Sequence, residues 1–143
     1  MNGPLIVIPC AARKLTVPAP AGQLYQGSYH RACRQTADAL TATGGTTVIL
    51  SGRYGLLTLD RVIAPYELRM GDAGSVTADQ LRDQAHALRL TAARTVVVLA
   101  GARYVAAARA VWPHALAPLT GRGIGHQLQR LVELRTEPPF PLT

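Results

Sequence analysis

Leu5-Ile-Val-Ile8, followed at once by Pro9-Cys-Ala-Ala-Arg-Lys14, is the stretch that decides the fold. Four apolar residues in a row, three of them β-branched, show no alternation with polar ones. Such a run reads as a strand buried on both faces, the habit of a parallel sheet. Pro9 ends it. Thr46 to Leu50 and Thr95 to Ala100 repeat the pattern further along. Between these runs lie helical signals. Ser28 is placed to cap a helix to about Thr43, where Gly44-Gly45 stops it. Thr77 caps a second helix to about Thr91, with Leu81, Ala85 and Leu88 on one side. Tyr104 to Val111 reads as a third helix, stopped by Pro113. The last runs from the turn Gly121-Arg-Gly-Ile-Gly125 to about Leu134, on an apolar face of Leu128, Leu131 and Leu134. Ala115 to Leu119 is expected to be a short fourth strand. Residues 11–27 read as a loop, 56–75 as irregular, and the Pro-rich tail from Pro138 as a docked or frayed end.

Alternating strands and helices predict a three-layer α/β fold: a mostly parallel central sheet of about four strands with helices on both faces. The 143 residues fit one domain, 1–143. In such sheets ligands bind beyond the carboxyl ends of the strands. That rule puts residues 10–30, 51–70 and 120–127 on one rim.

Composition narrows the classes. Hydrophobic residues make up 48% of the chain, enough for a core, and only 5% are aromatic, so small side chains must pack closely. The net charge of +7 favours polyanions, nucleic acid or nucleotides among them. All basic residues but Lys14 are arginine. Arginine suits bidentate phosphate contacts, whereas lysine can lose its proton and act as a nucleophile. No stretch approaches the roughly 20 apolar residues of a membrane span. The apolar N-terminal run is too short for a secretory signal core. A cytoplasmic protein with reduced thiols at Cys10 and Cys33 is expected, with no membrane partner. No Cys/His spacing resembles a zinc site, and no complete dinucleotide or phosphate-loop motif occurs, so no metal or cofactor is expected.

Four segments carry candidate chemistry. Cys10 and Lys14 sit four apart with Arg13 between. A nearby cation raises the thiolate fraction of a cysteine, and Lys14 or Arg13 can equally hold a phosphate. The alternative is a Cys10 that packs as a small apolar group. In Leu24-Tyr-Gln-Gly-Ser-Tyr-His30, Tyr25 and Ser28 are candidate binding residues and His30 a candidate acid or base; the bland reading makes Ser28 a cap and His30 a surface residue. In Ser51-Gly-Arg-Tyr-Gly55, the glycines let backbone approach a ligand, Arg53 can meet phosphate, and Tyr54 or the later Tyr66 can stack on a base. Ser51 and Gly55 belong to the same turn. Glu67 and Asp60 are the acidic groups there, and either could serve as a general base. Gly121, Gly123 and Gly125 open a helix and can cradle phosphate. Cys33 is assigned to the core.

Ile49-Leu-Ser-Gly-Arg-Tyr-Gly-Leu-Leu57, with Leu59-Asp60, Pro65-Tyr66 and Leu68-Arg-Met-Gly71, resembles the signature of the YaaA peroxide stress proteins. Val96 to Leu99 with Ala100-Gly-Ala-Arg-Tyr104 resembles that family's next strand and turn. Pro9-Cys10, Lys14, Ser28 and His30 resemble the pattern of archaeosine synthase domains, which attach lysine to a nitrile-bearing deazaguanine in transfer RNA. Ala11 and Leu15-Thr16 depart from that pattern. The whole layout is most similar to a small single-domain bacterial and phage family of the same superfamily. The resemblance implies a uracil-DNA-glycosylase-like core. It carries over neither family's activity; the gathering of the candidate segments on one rim is what points to an enzyme acting on a nucleobase or nucleotide, free or within DNA or RNA, by base modification or base removal. Cys10, Lys14 and His30 would be catalytic. The rival expectation is a non-catalytic DNA-binding oxidative-stress protein; a third is a regulatory thiol at Cys10.

Overall fold

In the computed structural model, which describes residues 3–141, β1 (Leu5–Pro9) is buried along its whole length. It lies between β3 (Thr46–Ser51) and β6 (Val96–Val98) and pairs with both in parallel, Leu5 opposite Thr46 and Val96. β4 (Gly55–Thr58) folds back antiparallel on β3 and completes the order β4-β3-β1-β6. The chain is thus α/β with a mixed four-stranded sheet.

Successive residues of β1 face opposite sides, so the sheet feeds two cores. Ile6 and Ile8 join one with Ile49, Leu57 and Val97, under α2 (Ser28–Leu40) and α5 (Ile124–Leu134). Leu5 and Val7 join the other with Val48, Leu50 and Val96, under α3 (Ala78–Ala87) and α4 (Ala102–Arg109). α5 is tied to α2 by Thr36, whose hydroxyl donates to the Leu131 carbonyl at 2.8 Å. On the other face the Trp112 indole donates to the Leu90 carbonyl at 2.9 Å. Cys33 is fully buried, as its helical position implied.

Several expectations change. The fourth strand is β4, not Ala115–Leu119. The latter makes one parallel bridge, Val97 with Leu116, and Pro113 and Pro118 leave little ladder around it. The segment 56–75 is not all irregular, since it holds β4 and β5 (Val62–Ile63). β5 pairs antiparallel with β2 (Ala19–Pro20) inside the expected 11–27 loop, which also holds the short α1 (Ala21–Leu24). The cap of α2 is Gly27 at φ +104°; Ser28 is the first helical residue and exposed. α2 stops at Leu40 and α3 at Ala87, earlier than expected, while α4 starts at Ala102, before Tyr104. Thr77 does cap α3, with a reciprocal bond from the Thr77 N–H to Gln80.

Candidate functional site

The strand order changes direction at β1. The chain steps from β1 to β3 on one side, then crosses to β6 on the other. Loops leaving β1 and β6 therefore diverge, and a crevice opens beyond their carboxyl ends, where ligands bind in such sheets. Cys10 is the first residue past β1 and stands at that opening. Its N–H still bonds to the Leu50 carbonyl at 3.2 Å, so the sheet ladder fixes its backbone.

A cleft of about 370 Å³ lies over Cys10, lined also by Lys14, Glu67, Arg69, Asp72 and Tyr104. The Cys10 thiol is 3.1 Å from the Tyr104 hydroxyl, which α4 brings from 94 residues away. Only 9% of Cys10 is exposed, so it is a recessed group at the floor. Burial holds the Tyr104 phenol well above its ordinary range, and the charge at Cys10 adds to this. Tyr104 thus stays protonated and can donate to the sulfur.

Lys14 reaches the cleft because its loop folds back on itself. Lys14 and Tyr25 form an antiparallel bridge, closed by Leu15 N–H to Leu24 carbonyl at 2.9 Å and Gln26 N–H to Arg13 carbonyl at 2.8 Å. The Lys14 ammonium donates to the Ala12 carbonyl at 3.2 Å and lies 4.5 Å from the Tyr66 ring centroid. Its pKa is lowered by burial, against the opposing pull of Cys10 and Glu67.

Behind Lys14 runs a polar chain. Ser51 is fully buried at the end of β3, and its oxygen accepts from the N–H groups of Arg53 and Tyr54 at 3.2 and 3.0 Å. With its lone pairs so occupied, Ser51 donates its proton to the Tyr66 hydroxyl at 2.6 Å. The Tyr66 and Tyr25 hydroxyls are also 2.6 Å apart. Burial raises both phenols, Tyr25 to about 12 and Tyr66 further. Glycine is required at the turn for a packing reason: a Cβ at Gly52 would lie 2.9 Å from the backbone of Arg69 and Met70.

The structure brings Cys10, Lys14, Tyr25, Ser51, Arg53, Tyr54 and Tyr66 together. Others it does not. His30 is buried, not a surface residue, and does not line the cleft. Its Nδ1–H donates to the Pro9 carbonyl at 2.8 Å, while Nε2 has no partner. Burial lowers its pKa, so it is a neutral tether for the residue before Cys10. Arg13 is exposed beside the cleft rather than in it, and Ser28 lies outside it. Gly55 faces Gln84, away from the opening. Gly121, Gly123 and Gly125 are exposed beside open space and outside the cleft lining. The nearest link from that turn runs through Gln127, which accepts from the Tyr29 hydroxyl and donates to the Arg122 carbonyl. Glu67, named from sequence with Asp60 as a possible general base, lines the cleft, whereas the site positions of Tyr104 and Asp72 were not legible in local spacing. Among the described residues no His, Cys, Asp and Glu cluster could hold a metal ion, and no helix is long and apolar enough to cross a membrane.

The chain is 31% identical over 140 residues to the uncharacterized protein YfjM of Bacillus subtilis (strain 168), covering 89% of this chain and 91% of YfjM. No solved structure matches it. Residues 5–133 match DUF6884, described as a family of unknown function. That span begins at the first residue of β1, ends in the last turn of α5 and includes every residue lining the cleft. The chain therefore belongs to the DUF6884 family.

Proposed function

We propose that this protein is an enzyme acting on a nucleobase or nucleotide, free or within DNA or RNA, with Cys10 as its nucleophile. The observation that carries this reading is the Cys10 thiol itself. It lies at the strand-order switch, hydrogen-bonded to Tyr104, in a cleft shared with Lys14 and Glu67. The lowered proton affinity of Lys14 suits it to take the thiol proton, leaving a thiolate beside an ammonium. The thiolate adds to an electron-poor carbon of the base. As the C–S bond forms, the C=N π pair moves to nitrogen, which takes the proton back from Lys14. Tyr104 donates to the sulfur, and the Ser51–Tyr66–Tyr25 chain holds the wall on which Lys14 rests. His30 acts indirectly, by anchoring the Pro9 carbonyl. The likeness to a superfamily with a uracil-DNA-glycosylase-like core adds fold-level analogy alone for base modification or base removal.

The test is turnover of modified-base oligonucleotides and nucleotides by Cys10→Ala and Lys14→Ala. Loss of turnover by about a hundredfold or more in both, with melting points kept, is the expected result. Unchanged turnover in both sinks the assignment. A second reading, a DNA-binding protein without catalysis, draws on the net charge of +7. It predicts strongly salt-dependent DNA binding with no chemical product.

A further inference from the structure

Tyr54 is flanked by two guanidinium groups. The Arg53 and Arg61 guanidinium carbons lie 5.6 and 5.9 Å from its ring centroid, within cation–π range. The Tyr54 ring meets Tyr66 edge-on, centroids 5.3 Å apart. Tyr66 in turn carries the Lys14 ammonium at 4.5 Å. Three cations are therefore strung along two rings, from the mouth of the Cys10 cleft to the β3–β4 turn.

These cations lack the usual neutralisation. Among the described residues the ion pairs are Arg34–Asp38, Arg82–Asp79 and Arg103–Asp72, and none includes Lys14, Arg53 or Arg61. Asp60 precedes Arg61 without pairing to it. Glu67 is close enough to favour the charged Lys14 but forms no ion pair with it. Arg53 and Arg61 are both exposed and aligned on an aromatic wall. Like charges gathered on one ridge repel, and an anion with charges spaced along its length relieves that repulsion. A mononucleotide seated over Cys10 would meet Lys14 and leave Arg53 and Arg61 unmatched. A strand running out of the cleft past Tyr66 and Tyr54 can meet both arginines.

We propose that the ridge of Tyr66, Tyr54, Arg53 and Arg61, which leads out from Lys14 at the cleft mouth, tracks the phosphates of a single-stranded nucleic acid through its two arginines, so that the substrate is a base within a strand rather than a free nucleotide. This rests on the nucleobase reading above and narrows it. The guanidinium forks, backed by the Tyr54 ring, hold phosphate oxygens, and the target base enters the cleft out of its stack.

The experiment is fluorescence anisotropy with labelled single strands of about 12 nucleotides, one DNA and one RNA, titrated at several salt concentrations with a mononucleotide as competitor. At least one strand should bind, and the two arms identify which nucleic acid it is. Arg53→Gln with Arg61→Gln should weaken that strand about tenfold at low salt. It should also flatten the log–log salt slope by about 1.4, two contacts at about 0.7 each. Mononucleotide competition should be unaffected in the double variant. Both residues are exposed, so its melting point should equal that of the parent. Cys10→Ala should bind the strand as the parent does. If turnover survives Cys10→Ala while the double variant still loses strand binding, the catalytic reading fails and the ridge stands. No binding of either strand at about 50 mM salt, or unchanged affinity and slope in the double variant, overturns the ridge.

Discussion

An ammonium half out of water, beside a thiol and a carboxylate, is pulled two ways. For Lys14 burial wins, and its proton affinity falls below the free-lysine value of 10.5 despite Cys10 and Glu67. Because it is the chain's single lysine, this is directly measurable. The rate of labelling by trinitrobenzenesulfonate against pH, with peptide mapping to separate the α-amine, should show a midpoint below 10.5 for Lys14. Glu67→Gln removes a group that favours the charged form, so it should move the midpoint lower still. A midpoint at the ordinary lysine value, or a rise in that variant, contradicts the electrostatics described. Spacing marked Cys10 and Lys14 as a candidate pair but by itself favoured a Cys10 that packs in the core; the shared rim and the family resemblance shifted the reading toward a site. Tyr104 could not be found in that way. It meets the sulfur from 94 residues away, and no periodicity encodes a contact of that separation. His30 shows the reverse: its residue type suggested acid–base work, but its Nδ1 holds the Pro9 carbonyl and the ring is buried outside the cleft lining.

At the scale of elements, the β3–β4 hairpin positions half the site, and α3 holds the hairpin. Gln84 Oε1 accepts from the Leu56 N–H and its amide donates to the Tyr54 carbonyl, both at 2.8 Å. The side chain thus behaves like a fragment of neighbouring strand. Gly55, at φ +76°, would drive a Cβ against the same amide. Gly55→Ala should cost about 1–3 kcal/mol from backbone conformation alone, and more from the collision. Gln84→Ala should cost about 1–3 kcal/mol for each group it strands. Urea denaturation measures both, and a change under about 0.5 kcal/mol in both contradicts the clamp. The clamp also explains why β4 was hidden. Gly55-Leu-Leu-Thr58 is too short to show alternation, its inward and outward faces are both covered, and its glycine reads as part of a turn. The longer elements were legible because each carried a pattern that local rules recognise: β-branched runs for β1, β3 and β6, and the Thr77 cap with the stripe of Leu81, Ala85 and Leu88 for α3. Ala115–Leu119 misled for the same reason, since an apolar run predicts burial and strand alike.

Across the whole molecule, two cores share one sheet, and His30 is the buried titratable group that couples one of them to pH. Its pKa is lowered from 6.5 by burial, against the bond to Pro9. The unfolded chain therefore binds a proton that the native state resists. The stability tied to neutral His30 is complete above about pH 6.5 and is lost as pH falls below it, at no more than about 1.4 kcal/mol per pH unit. Urea midpoints should drop between pH 7 and pH 5, and His30→Gln should flatten that drop. A drop of equal size in the variant assigns the effect elsewhere. The cores differ in one more respect. All five tyrosines belong to the face of α2 and α5 or its border, with Tyr104 touching both cores, while the one tryptophan, Trp112, lies wholly on the face of α3 and α4. Each half of the protein thus carries its own chromophore. Excited at the red edge, the molecule emits from the core under α3 and α4. The near-ultraviolet signal of its phenols arises chiefly around the cleft, so the two faces can be watched loosening independently, without any label.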